Sequence, residues 1–199
     1  VLKSRPYTKD AAVYNQALKV VYTPLHGTGN RPVRDFLKEA GFKQVTVVKA
    51  QEQPDANFST VKSPNPEERE AFALAIQVAE GNEADLILGT DPDADRMGAV
   101  VRTSDGKYEA LNGNQTGALI IEYLLHRLHA TGKLPDNGVL VQTIVTGELG
   151  AKIAESYGLD VLYTLTGFKY IGELMTQFEQ SGKHTFLFGY EESYGYLAG

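Results

Sequence analysis

Short apolar runs rich in β-branched residues alternate along this chain with stretches whose apolar positions recur at helical spacing. ALKVVYTP (17–24), VTVVKA (45–50), ADLILGT (84–90) and MGAVVR (97–102) read as strands. Between them, PVRDFLKEAG (32–41) and PEEREAFALAIQVAEG (66–81) read as helices, each with a proline near its start and a glycine at its end. The pattern resets around TSDGKYEALNGNQ (103–115), where turn residues flank a short strand. A second series follows: a helix near 114–130, a strand VLVQTIV (139–145), a helix GELGAKIAESYG (147–158), a strand VLYTLT (161–166), a helix over about 168–181 and a strand TFLFGYE (185–191). The simplest architecture is α/β: two successive α/β domains, 1–110 and 111–199, each a mixed, mostly parallel sheet flanked by helices.

Composition narrows the function classes. With 199 residues, 42% hydrophobic and 22% charged, the chain can build a sizeable core as one or two domains. A net charge of −6 and the absence of any lysine/arginine run argue against nucleic acid or an anionic membrane surface as a general partner. The lack of cysteine excludes disulfides, thiolate metal sites and a cysteine nucleophile, and fits a reducing cytoplasm. No apolar run approaches the roughly 20 residues of a membrane span, and no signal peptide is visible. Opening on Val1 rather than methionine and stopping at Gly199, inside a glycine- and tyrosine-rich stretch, the chain reads as an excised piece of a longer protein.

The densest chemistry lies in GTDPDADRMG (89–98). Asp91, Asp93 and Asp95 alternate, so in an extended or looped backbone their side chains can converge, and Pro92 keeps the segment out of a helix interior. Like charges this close repel unless a cation joins them. Three hard carboxylates, with no histidine or cysteine nearby, suit Mg²⁺ rather than Zn²⁺. An EF-hand fails here, because positions 6 and 12 hold Arg96 and Arg102 instead of glycine and glutamate. An aspartate-nucleophile phosphatase is a poor match, since Ala94 and a third aspartate follow the first pair. A solvated acidic turn is the bland alternative. Arg96 favours the metal: a guanidinium beside a cation suits a phosphate ester held between the two.

Four other stretches carry weaker signals. TPLHGTGNRP (23–32) joins a strand to a helix; Gly27 and Gly29 permit tight backbone geometry, and the helix N-terminus can hold an anion, although the stretch is neither a dinucleotide fingerprint nor a Walker A loop. His26 in it reads first as a structural residue. In KSPNPEE (62–68), Ser63 is a possible nucleophile, but the better reading is turn chemistry leading into a helix with Glu67 and Glu68 in its first turn. TLTGFKYIGE (164–173) sets Thr166, Gly167 and Lys169 at a strand–helix junction suited to an anion, with Lys169 equally at home on the surface. FGYEESYGY (188–196) places Glu191 and Ser193 two apart on a loop, where they share a side and suit adjacent sugar hydroxyls; a polar strand end is the alternative.

Taken together, TPLHGTG, SPNPEE, TDPDADR, TLTGFK and GYEESYG, in that order, resemble the α-D-phosphohexomutase superfamily, the phosphoglucomutase/phosphomannomutase enzymes. The resemblance implies a four-domain, heart-shaped enzyme that moves phosphate between the 1 and 6 positions of a hexose, glucose 1- and 6-phosphate foremost, through a phosphoserine. Asp91, Asp93 and Asp95 then match the Mg²⁺ ligands and Arg96 the adjacent active-site arginine. Glu191 and Ser193 match the residues that grip the sugar 3- and 4-hydroxyls, and Thr166, Gly167 and Lys169 the loop that orients the sugar. No counterpart of the family's phosphoserine motif is present, nor of its phosphate-binding last domain. The expectation is therefore the two central domains of a mutase, the third cut short at its C-terminus and inactive without the missing N- and C-terminal domains. A non-catalytic metal and sugar-phosphate binding module is the alternative.

Overall fold

The computed structural model describes residues 11–199, so the first ten residues of the expected 1–110 domain lie outside the described residues. The chain divides into two compact units between Leu111 and Asn112.

In the first unit, α1 (Ala11–Ala17) leads into β1 (Lys19–Thr23), followed by α2 (Asn30–Glu39), β2 (Gln44–Val47), α3 (Ala73–Asn82), β3 (Leu86–Thr90), β4 (Met97–Arg102) and β5 (Tyr108–Leu111). The sheet order is β2-β1-β3-β4-β5. β1 runs parallel to β2 and β3, whereas β3–β4 and β4–β5 are antiparallel, so the sheet is mixed with parallel and antiparallel pairings equal in number. The core gathers Val21, Val48, Phe72, Ala75, Ala79, Ala84, Ile87, Val100 and Tyr108. Gly89 and Gly98 face each other across β3 and β4. The Phe72 ring fills the slot they leave: a Cβ on Gly89 would lie 2.6 Å from the ring, and one on Gly98 3.0 Å from it. That packing sets the base of the β3–β4 hairpin.

The helix expected over 66–81 is shorter. A 3-10 turn occupies Arg69–Phe72 and the α-helix begins at Ala73, because Glu68 before the turn is extended and the proline-rich segment cannot join the helical ladder. Gly81 lies within the helix; the left-handed terminal position falls to Glu83, at φ 50°. The run 45–50 likewise splits, β2 stopping at Val47 before a 3-10 turn at Lys49–Gln51.

The second unit opens on α4 (Gly113–Ala130), whose start is a reciprocal cap: the Asn112 side chain accepts from the Gln115 N–H and the Gln115 side chain from the Asn112 N–H. β6 (Gly138–Thr143), α5 (Glu148–Ser156), β7 (Asp160–Thr164), α6 (Phe168–Ser181), β8 (Thr185–Tyr190) and β9 (Tyr196–Ala198) follow. The sheet order is β7-β6-β8-β9, parallel except for the last pairing. β6 is buried along its whole length, as a central strand covered on both faces must be. Leu140 packs with Ile121, Leu125 and Ala154 of α4 and α5; Val139 and Val141 pack with Ile171 and Phe178 of α6. Ile144 and Val145, expected within this strand, are exposed, because the chain turns there through a Thr146 N–H to Thr143 carbonyl bond of 3.1 Å. β9, which the sequence pattern did not indicate, forms by pairing back on β8.

Both units thus share one device. A parallel strand ends, the chain loops at its carboxyl end, and an antiparallel strand returns beside it. The loops are residues 91–96 after β3 and 191–195 after β8, and the carboxyl ends of parallel strands are where open α/β sheets place ligands.

Candidate functional site

The aspartate stretch is a hairpin loop. Below it, Thr90 pairs with Met97, and the Asp91 N–H donates to the Arg96 carbonyl at 3.4 Å. The loop closes on itself through two further bonds: the Ala94 N–H donates to the Asp91 carbonyl at 3.1 Å, and the Arg96 N–H to Asp91 Oδ1 at 3.1 Å. Ala94 takes a left-handed conformation, φ 62°, which tightens the turn. Carboxylate oxygens of Asp91, Asp93 and Asp95 all lie within 4.8 Å of one another. Asp91 is buried and its two neighbours are exposed. Burial pushes the Asp91 carboxyl up to about 6; Asp95 and Asp93 push the same way, against the Arg96 N–H. The loop contributes a single cation, Arg96, to three carboxylates, so the cluster keeps a net negative charge.

Arg96 is gripped from outside the loop. Its guanidinium pairs with Glu67 Oε1 at 2.9 Å and sits 3.9 Å from Asp91 Oδ2. Glu67 belongs to the SPNPEE turn, its N–H donating to Asn65 Oδ1 at 3.0 Å. This role of Glu67 was not apparent from the sequence, since its partner lies 29 residues further on and a first-turn acid needs no such partner. Ser63 lies half-buried in the same turn.

Behind the aspartate loop lies the segment after β1. The Thr28 N–H and hydroxyl donate to the Pro92 carbonyl at 2.8 and 3.1 Å. A Cβ on Gly27 would lie 2.4 Å from Pro92 Cα, so only glycine allows the two backbones this approach. Tyr22 and Thr90, hydroxyls 2.9 Å apart and buried, tie the two strand ends together. His26 is structural: Nδ1 donates to the Gln53 carbonyl at 2.8 Å, which leaves Nε2 to accept from the Thr60 hydroxyl at 2.8 Å.

In the second unit, Glu191 is buried and Oε1 accepts from the Gly167 N–H at 2.6 Å. Oε2 accepts from the Ser193 hydroxyl at 3.4 Å. Gly167 has φ 127°, a backbone state that favours glycine, and caps the start of α6. The structure therefore brings Glu191, Ser193 and Gly167 together. Thr166 and Lys169 are exposed in the same loop, with the Lys169 ammonium 4.8 Å from the centre of the Tyr170 ring. Glu192, not singled out in the sequence, reaches the other way: Oε2 stands 3.4 and 3.2 Å from the Thr143 and Thr146 hydroxyls, themselves 2.7 Å apart, so one threonine donates to the other and the second donates to the carboxylate. A T-x-x-T turn at the end of a buried strand was the available signal. The aspartate set is assembled within the first unit and the glutamate set within the second.

Comparison with known proteins bears on these loops. A family model for phosphoglucomutase/phosphomannomutase, alpha/beta/alpha domain II, matches residues 5–106, and its domain III counterpart matches residues 112–199. The chain belongs to the phosphoglucomutase/phosphomannomutase family. The phosphoglucomutase of Staphylococcus haemolyticus (strain JCSC1435) is 49% identical over 181 residues, and that of Staphylococcus aureus (strain MRSA252) 41%. Each comparison takes in 91% of this chain and 32% of the relative, so the chain spans about a third of the length of these curated relatives. Among solved structures, a phosphoglucomutase/phosphomannomutase family protein from Burkholderia thailandensis superposes with a TM-score of 0.68 at 19% identity, over 94% of this chain and 39% of that one. N-acetylphosphoglucosamine mutase of Aspergillus fumigatus, solved with GlcNAc-6P and magnesium, gives 0.62 at 15%, over 96% and 39%. At these identities the structures bear on the fold, and the two mixed α/β sheets flanked by helices are those of the family's domains II and III. No helix of the described residues is long and apolar enough to cross a membrane.

Proposed function

We propose that residues 1–110 and 111–199 are the two central domains of a cytoplasmic phosphohexomutase, an isomerase that moves phosphate between the 1 and 6 positions of a hexose phosphate. Glucose phosphate is the expected substrate, because the phosphoglucomutases named above are the 41–49% identical relatives. The observation that carries this reading is the aspartate hairpin: three carboxylates within 4.8 Å, one of them buried and pushed up to about 6, in a loop whose one cation, Arg96, is shared with Glu67 and stands 3.9 Å from Asp91.

These residues fit Mg²⁺. The donors are hard oxygens, and three carboxylates leave room in a six-ligand shell for a phosphate oxygen and water. Bound there, the ion supplies electrostatic stabilisation of the charge on a transferring phosphoryl group. Asp91, Asp93 and Asp95 hold it. Arg96, steadied by Glu67, presents a second cationic group to the phosphate. Glu191 and Ser193 grip adjacent sugar hydroxyls, and Thr166, Gly167 and Lys169 orient the sugar from the neighbouring loop. The serine that carries phosphate is supplied from beyond this chain, so the chain alone is inactive as a mutase. The A. fumigatus enzyme solved with GlcNAc-6P and magnesium, and its variant solved with glucose 1,6-bisphosphate, support the ligand class.

The test is a coupled assay of glucose 1-phosphate conversion to glucose 6-phosphate by the full-length protein and by this chain, with Mg²⁺ present or chelated. Mg²⁺-dependent turnover by the former and none by the latter is expected. A full-length protein inactive on glucose and mannose phosphates alike overturns the reading in favour of a binding module.

A further inference from the structure

The two adjacent glutamates of the 191–195 loop have different attachments. Glu191 faces Gly167 and Ser193. Glu192 turns its carboxylate onto the β6–α5 turn, where the Thr143 and Thr146 hydroxyls stand 2.7 Å from each other and both within reach of Oε2. Thr143 and Thr146 are buried, and the pair closes a turn that the Asn114 side chain holds in turn, accepting from the Gly147 N–H at 2.8 Å.

The Glu192 backbone is confined as tightly as its side chain. A Cβ on Gly113, the first residue of α4, would lie 1.8 Å from the Glu192 carbonyl oxygen, so α4 begins hard against the loop. A Cβ on Gly195 would lie 2.4 Å from the Phe168 ring, which limits the loop's far end. Between these contacts Tyr194 is buried in a left-handed conformation, φ 68°. A loop that carries one such residue between two contacts with no spare volume has few alternative arrangements, provided that its central carboxylate stays latched.

We infer that Glu192 is a positioning residue: its carboxylate, latched by Thr143 and Thr146, fixes the 191–195 loop so that Glu191 and Ser193 present their oxygens to one ligand in one geometry. Glu192 does not touch the sugar. This deepens the proposed function and rests on it where substrate is concerned, but the latch itself is a property of the loop with no ligand present.

Two measurements separate the latch from the substrate reading. In this chain, amide hydrogen exchange of residues 192–195 is expected to accelerate on the order of tenfold in Glu192→Ala, equivalent to about 1.4 kcal/mol in the opening equilibrium. Thr143→Val with Thr146→Val is expected to do the same, adding Glu192→Ala to that pair to do no more, and Glu192→Gln, which keeps an accepting oxygen for the threonine pair, to stay within about threefold of the parent. In the full-length protein, Glu192→Ala is expected to raise KM for glucose 1-phosphate about tenfold with kcat nearly unchanged, and Glu192→Gln to restore it. Unchanged exchange in both Glu192→Ala and the double threonine variant overturns the latch. Accelerated exchange with KM unchanged overturns its role in sugar binding. A Glu192→Gln variant as impaired in KM as Glu192→Ala, with silent threonine variants, overturns it in favour of a charge acting on the ligand directly. Should the full-length protein show no mutase turnover, the exchange result still decides the latch by itself.

Discussion

Asp91→Asn tests whether the aspartate hairpin stores an uncompensated charge. In the folded chain the Asp91 carboxyl titrates at about 6 against an ordinary value of 3.8, chiefly because it is buried and secondarily because Asp95 and Asp93 adjoin it. The folded state therefore holds this proton more tightly than the unfolded chain does. The associated stability is fully present below pH 3.8 and is lost as pH rises from there to about 6, after which it is flat. A shift of this size corresponds to at most about 3 kcal/mol; with two of the three carboxylates in water, about 1–2 kcal/mol is the working figure. Asparagine keeps an oxygen for the Arg96 N–H and removes the charge. The variant is thus expected to be about 1–2 kcal/mol more stable than the parent at pH 7.5 without divalent cations, and indistinguishable from it near pH 3. Magnesium reverses the order. An ion at a hundredfold excess over its dissociation constant adds about 2.7 kcal/mol to a protein that binds it only when folded, and the variant loses most of that gain. Urea unfolding followed by far-ultraviolet circular dichroism, at both pH values with magnesium or chelator, gives all the needed differences. A variant no more stable than the parent at pH 7.5 in chelator would refute the stored-charge argument. Equal magnesium responses would refute the metal assignment.

Two further substitutions probe the support of this loop. Gly27→Ala places a Cβ 2.4 Å from Pro92 Cα, backbone against backbone, so the two segments must part by about 1 Å; the expected cost is about 1–3 kcal/mol together with a blunted magnesium response. Unchanged unfolding and an intact magnesium response would show that the contact is slack. Glu67→Ala removes the partner of Arg96 in a half-exposed pair, so stability is expected to stay within about 0.5 kcal/mol. Steady-state kinetics of the full-length protein should nevertheless show a severalfold higher KM for glucose 1-phosphate, since Arg96 is then free to swing toward Asp91; an unchanged KM would make the Glu67 contact incidental.

What this sequence determined by itself was local. Alternating aspartates stiffened by Pro92, a strand signal before them, prolines and glycines bounding helices, and a Glu-x-Ser pair leaving an apolar run are each properties of fewer than about 16 neighbouring residues, and pattern and turn chemistry act at that range. The alternation of apolar runs and helical periods likewise implied two flanked sheets. Tertiary structure decided where partners meet. Nothing near Glu67 names Arg96, nothing near Gly27 names Pro92, and nothing near Glu192 names Thr143 and Thr146, because those pairs lie 29 to 65 residues apart and form only when strands adopt their register. The same holds for Phe72, whose slot exists only because Gly89 and Gly98 come opposite one another in an antiparallel pair. The mixed sheets were legible, but the balance within the first, two antiparallel pairings to two parallel, and β9 were not: β9 forms only because β8 offers an open edge. A sequence can state which side chains are fit for a cation or a sugar, but only packing decides which neighbours hold them in place.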